Sequence, residues 1–121
     1  MKYFNPNPAG KAVGDCVIRS IAKATGDNWG RIYMDLAATG YELSDMPSAN
    51  AVWGAYLRRR GFTRSALPEH DGYTVRQFAA ENPHGTYILA LSGHVVAVVD
   101  GEYYDAWDSG SETPIYVWEE K

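Results

Sequence analysis

The chain has 121 residues, 45% of them hydrophobic and 13% aromatic, with a formal net charge of −4. That length holds one domain, residues 1–121, with a core of its own, and the acidic balance argues against a nucleic-acid partner, whose phosphates favour a basic face. One cysteine cannot form an internal disulfide, and no apolar run has the length of a membrane span, so the expectation is a soluble cytoplasmic protein away from membranes.

In chain order, residues 1 to 13, with Asn5-Pro6-Asn7-Pro8 and Gly10, lack periodicity and predict an extended arm or loop. A helix opens at Gly14-Asp15, where Val17, Ile18, Ile21 and Ala22 repeat at helical spacing, and Gly26 ends it. Asp27 or Asn28 can cap a second helix that runs through Ile32, Leu36 and Ala37 to Gly40. Ser48 can cap a third, from Ala49 to Arg60, with Val52, Trp53, Tyr56 and Leu57 on one face. Its Arg58-Arg59-Arg60 end reads as a cationic helix terminus favoured by the macrodipole.

Residues Phe62 to Leu67 read as a short strand or an irregular link. Thr74-Val75-Arg76-Gln77 has the capping-box pattern, predicting a helix from Val75 to Glu81. From Thr86 the period becomes that of strands: Thr86 to Leu91, His94 to Val99, Glu102 to Trp107 and Pro114 to Trp118. Helices first and an antiparallel meander afterwards predict an α+β fold, with the helices on one face of the sheet.

Asp100-Gly101 is a strong two-residue hairpin signal between Val99 and Glu102. With that turn Ala97 faces Tyr104, Val96 faces Asp105 and His94 faces Trp107, which places His94, Asp105 and Trp107 on one side of the sheet. A carboxylate that holds one ring nitrogen of a histidine sets its tautomer and orientation, as a general base requires. A three-residue turn would slip the register by one and bring Asp108 to His94 instead. Cys16, in the first helical turn, lies where the helix dipole favours thiolate and where its own N–H is free to donate to an oxyanion. Asp15 beside it raises the thiol pKa unless its carboxylate caps the helix. His70 and His84 lie in loop-like sequence without metal-ligand spacing, so an exposed position is expected for both, with no metal or cofactor.

Gly14-Asp15-Cys16 opening a helix, Gly93-His94-Val95-Val96 starting a strand, and Asp105-Ala106-Trp107 together resemble a papain-like cysteine peptidase, in the small bacterial and phage form similar to bacteriocin-processing peptidases. The resemblance implies N-terminal helices packed on a C-terminal antiparallel sheet. It implies Cys16 as nucleophile, His94 as base, Asp105 as its orienting acid and Trp107 as a shield, acting on a peptide or protein substrate. Such enzymes usually carry a glutamine before the cysteine as an oxyanion donor. Here Gly10 stands six residues before Cys16, and Asn5 or Asn7 can substitute only if the arm folds back. The rival expectation is a non-catalytic binding module on the same fold, a phage inhibitory protein being one form, with Trp29, Trp53, Tyr103 and Tyr104 as its partner surface.

Overall fold

Helix α1, Cys16–Thr25, forms where the apolar stripe begins and stops at Gly26, whose φ of 78° suits a residue without Cβ. The computed structural model describes residues 1–67 and 72–121; the expectation for His70 lies outside the described residues. Asp15 occupies the N-cap of α1 without capping it through its side chain. Asn28, rather than Asp27, caps α2 (Trp29–Leu43), its Oδ1 accepting from the Arg31 backbone N–H.

The second helix does not end at Gly40. It continues to Leu43 and turns off at Ser44. Gly40 has a different use, because a Cβ there would stand 2.8 Å from the Asp45 carbonyl oxygen, so its bareness lets the chain return across the helix. Ser48 does not cap the third helix either: α3 spans Asn50–Arg59, with Ala49 at the N-cap. Strand β2 (Phe62–Ala66) is a true strand, and helix α4 (Val75–Glu81) starts as expected, the Thr74 hydroxyl accepting from the Gln77 N–H.

The remaining strands are β3 (Thr86–Leu91), β4 (His94–Val99), β5 (Glu102–Asp105) and β6 (Tyr116–Glu120), with β1 (Lys2–Tyr3) in the arm that the sequence left irregular. β5 is shorter than expected, and β6 starts two residues later and runs further. Asp100 and Gly101 both have positive φ, and the pairs Val99 to Glu102 and Ala97 to Tyr104 have the predicted register.

The protein is α+β, with a sheet in the order β1-β5-β4-β3-β6-β2. Two features depart from an antiparallel meander covered on one face. First, β1 pairs in parallel with β5, so the sheet is mixed, and β6 returns to lie beside β3 instead of extending past β5. Second, the helices take both faces. Ile88, Ala90, Val95 and Trp118 pack with α1 to α3, whereas their alternates Leu89, Val96, Val98 and Val117 pack with Val75, Phe78 and Ala79 of α4. The alternation of β3 and β4 explains this, because both strands are apolar at successive positions and so must be covered twice.

Candidate functional site

Cys16 is the first residue of α1, and α1 lies against β4, where the Ser20 hydroxyl donates to the Val95 carbonyl at 3.1 Å. This contact brings the start of the helix to His94, the first residue of β4, so that the thiol and the ring are near enough to shift one another's protonation. The other side of the ring is held by Asp105, with His94 Nε2 and Asp105 Oδ2 2.7 Å apart. With Nε2 committed in this way, Nδ1 is the nitrogen left for the sulfur.

Asp105 is fully buried, and each of its oxygens has two partners. Oδ2 accepts from the Ser109 hydroxyl at 2.6 Å as well as facing His94, and Oδ1 accepts from Arg19 Nη2 at 3.0 Å and the Ala106 N–H at 2.8 Å. Its backbone is fixed from the arm, where Tyr3 pairs with it and the Phe4 N–H donates to its carbonyl at 2.9 Å. The Trp107 ring lies over His94 with centroids 4.7 Å apart while keeping 46% of its surface exposed.

Charge follows from this packing. Burial by itself would raise the Cys16 thiol, but the hydrogen bond and positive charge of His94, the Val95 N–H and the nearby Arg19 together hold it below the ordinary cysteine value. Burial likewise opposes protonation of His94, yet Asp105 and Cys16 push its pKa up to about 9. For Asp105, burial is outweighed by its bonds to His94 and Ser109, and its carboxyl sits below its ordinary value. The two shifts act in the same sense, each favouring a thiolate beside an imidazolium backed by a carboxylate.

Beside this pair lies a cavity of about 420 Å³, with Cys16 and His94 in its wall and Ile18, Leu36, Trp53 and Leu91 among its apolar lining. Its size and lining suit a side chain or acyl group of a small ligand or peptide.

Other expected residues are placed differently. Asp108 does not reach His94; its Oδ1 accepts from the Tyr103 hydroxyl at 2.7 Å and the Gly110 N–H at 3.0 Å. Asn5 and Asn7 are not brought to Cys16 as oxyanion donors, although the arm does fold back. Asn5 donates to the carbonyls of Gly10 and Lys11 and accepts from the Asn7 N–H, and Asn7 accepts from the N–H groups of Ala9 and Lys11. Of the four aromatics expected to form a partner surface, Trp53 and Tyr103 are core residues, whereas Trp29, which donates to Asp15, and Tyr104 are half-buried. Arg59 and Arg60 pair with Glu42 and Asp27, and Arg58 stacks over Trp118. His84 is exposed.

Arg19 and Ser109 carry no role in the sequence reading, and Asp15 has a different one from that expected. Asp15 does not cap α1 through its side chain; it accepts from Arg19 Nη1 at 2.6 Å and Trp29 Nε1 at 2.9 Å. The four-residue spacing of Asp15 and Arg19 on a helix was the available signal. Ser109 carried none. Among the described residues no helix is long and apolar enough to cross a membrane, and no group of three His, Cys, Asp or Glu could hold a metal ion. Comparison with protein-family models, curated proteins and solved structures found no match to this chain.

Proposed function

We propose that this protein is a small papain-like cysteine hydrolase that cleaves a peptide or isopeptide amide in a reducing compartment, the cytoplasm. The observation that carries the reading is the continuous line from Cys16 through His94 to the buried Asp105, with the 2.7 Å contact on the far side of the imidazole from the sulfur. A structural cysteine needs no such partner, since burial alone satisfies it.

In the proposed reaction the Cys16 thiolate attacks the substrate carbonyl carbon, forming a C–S bond and a tetrahedral oxyanion. The His94 imidazolium gives its proton to the amide nitrogen, the C–N bond breaks and the amine leaves, so that a thioester remains on Cys16. Neutral His94 then takes a proton from water, whose oxygen attacks the thioester and releases the acid and the thiolate. Asp105 keeps the ring oriented and favours its charged form throughout. The Cys16 N–H, which has no intrahelical partner at the first position of α1, faces the oxyanion. With Asn5 and Asn7 engaged elsewhere, that donor is not joined by an arm amide. Loss of one such donor slows acyl transfer on the order of a hundredfold, so slow turnover is part of the proposal.

Alkylation by iodoacetamide tests the reading directly. At about pH 6 a free cysteine is almost wholly protonated, so Cys16 should react far faster than free cysteine, and His94→Ala should abolish the excess. Equal, sluggish labelling of both proteins would leave a non-catalytic binding module in its place.

A further inference from the structure

Arg19 lies one turn beyond Cys16 on the buried side of α1, with 5% of its surface exposed. Its two terminal nitrogens part company, Nη1 donating to Asp15 at 2.6 Å and Nη2 to Asp105 at 3.0 Å. The guanidinium is planar and carries its donors in a rigid fork, so these two bonds set both a distance and an angle between the start of α1 and the end of β5. Trp29 Nε1 steadies the far carboxylate from α2, and Ser20, the next residue along α1, ties the same turn to β4 beside His94.

The carboxylate of Asp105 is divided in the same way. Oδ1 is occupied by Arg19 and the Ala106 N–H, which leaves Oδ2 to His94 and Ser109. It cannot swing without breaking bonds on both oxygens. Burying two carboxylates around one cation is costly, and apolar side chains filling the same space often give equal or greater stability. What the ionic arrangement supplies, and an apolar one would not, is a defined orientation.

We infer that Arg19 is a positioning residue for the Cys16 and His94 pair: it clamps the helix that carries the thiol to the strand that carries the acid, and turns Asp105 Oδ2 towards the imidazole. The inference rests on the hydrolase reading above. The charged and titratable groups that meet in this cluster are Asp15 and Cys16 from α1, His94 from β4 and Asp105 from β5, with Trp29 and Ser109 as neutral donors.

The test is the pH profile of iodoacetamide labelling, from about pH 5 to about pH 9, for the wild type, Arg19→Lys and Arg19→Met, with thermal unfolding followed in parallel. A lysine keeps the charge but lacks the rigid planar fork that fixes the angle between the two carboxylates. The expected result is that labelling of folded Arg19→Lys at about pH 6 falls about tenfold, the change in thiolate fraction that one pKa unit makes. Arg19→Met should fall further, and the rates should converge near pH 9. If folded Arg19→Lys keeps the wild-type profile, the fork positions nothing and the inference is overturned, even if Arg19→Met fails to fold. Sluggish wild-type labelling at pH 6 would instead overturn the hydrolase reading, and this inference with it.

Discussion

Under α4 the sheet is covered by Val75, Phe78 and Ala79 packed on Leu89, Val96 and Val98, a purely apolar contact. On the opposite face α1 brings Asp15 and Arg19 into the interior and leads them to Asp105, so three ionised groups are buried at the end of an otherwise apolar layer. The first arrangement is what hydrophobic burial produces when stability alone is at stake. The second spends stability on orientation, since buried ions lose hydration that their partners only partly restore. The α4 contact therefore holds the fold together, and the ionic cluster led in by α1 holds Cys16, His94 and Asp105 in register.

The sharpest way to break that comparison is to damage each face by a similar amount. Asp105→Ala leaves Arg19 and His94 facing a buried gap and should cost about 3–5 kcal/mol, and the excess labelling of Cys16 at low pH should disappear with it. Phe78→Ala on the α4 face should cost a comparable amount, about 3–5 kcal/mol, yet keep the wild-type pH profile of labelling in the folded protein. Chemical denaturation and iodoacetamide kinetics on the two variants separate the faces. Matching losses of reactivity would mean that the division is false.

A smaller effect is expected in stability against pH. With the thiolate and imidazolium that the proposed function requires, the folded protein holds one proton on His94 and none on Cys16, whereas near neutrality an unfolded chain holds one on cysteine and almost none on histidine, so the totals agree and this pair contributes no slope. Below the unfolded histidine value of about 6.5 the unfolded chain binds more protons, so stability falls as pH drops. At the alkaline end the pair adds little slope, because folded His94 at about 9 and an unfolded cysteine at about 8.5 lose their protons almost together. Cys16→Ser removes the compensating thiolate. His94 then binds a proton that the unfolded chain lacks, and the neutral plateau should become a steady decline above about pH 6.5. Urea midpoints for the two proteins measured across this range check the change of shape.

The least effect is expected at Asp108, three residues from Asp105 and similar in sequence context. Its carboxylate serves the Tyr103 hydroxyl and the Gly110 N–H at the surface. Asp108→Asn should therefore label at about pH 6 at the wild-type rate, and a marked loss would mean that the acid has been assigned to the wrong residue.

The legible part of this architecture is the part with a local cause. Alternating β-branched residues and the Asp100-Gly101 turn are enough to set the β4–β5 register, and with it the approach of His94 to Asp105. Thr74 announces α4 because its cap partner is three residues away. Gly40 misled because a glycine that ends a helix and one that admits a crossing backbone look the same in one dimension. β1 was invisible, since two residues show no period, and its partner β5 lies about a hundred positions further along the chain. The second covered face, against the expectation of one, has its cause in the continuous apolar runs of β3 and β4, and nothing local assigned α4 to it rather than to the face of α1.

By itself the sequence determined the four helices, strands β3 to β6 and the hairpin that carries His94, because capping, periodicity and turn chemistry act over a few residues. Tertiary structure decided that Cys16 meets His94 and that Ser109 joins His94 at the Asp105 carboxylate. It also decided that Arg19 links the thiol's helix to the acid's strand, and that Asn5 and Asn7 are used within their own arm. These are contacts between side chains far apart in sequence. They depend on which surfaces bury one another, and once the chain has closed such loops the direction of a single guanidinium or carboxylate follows from the packing around it.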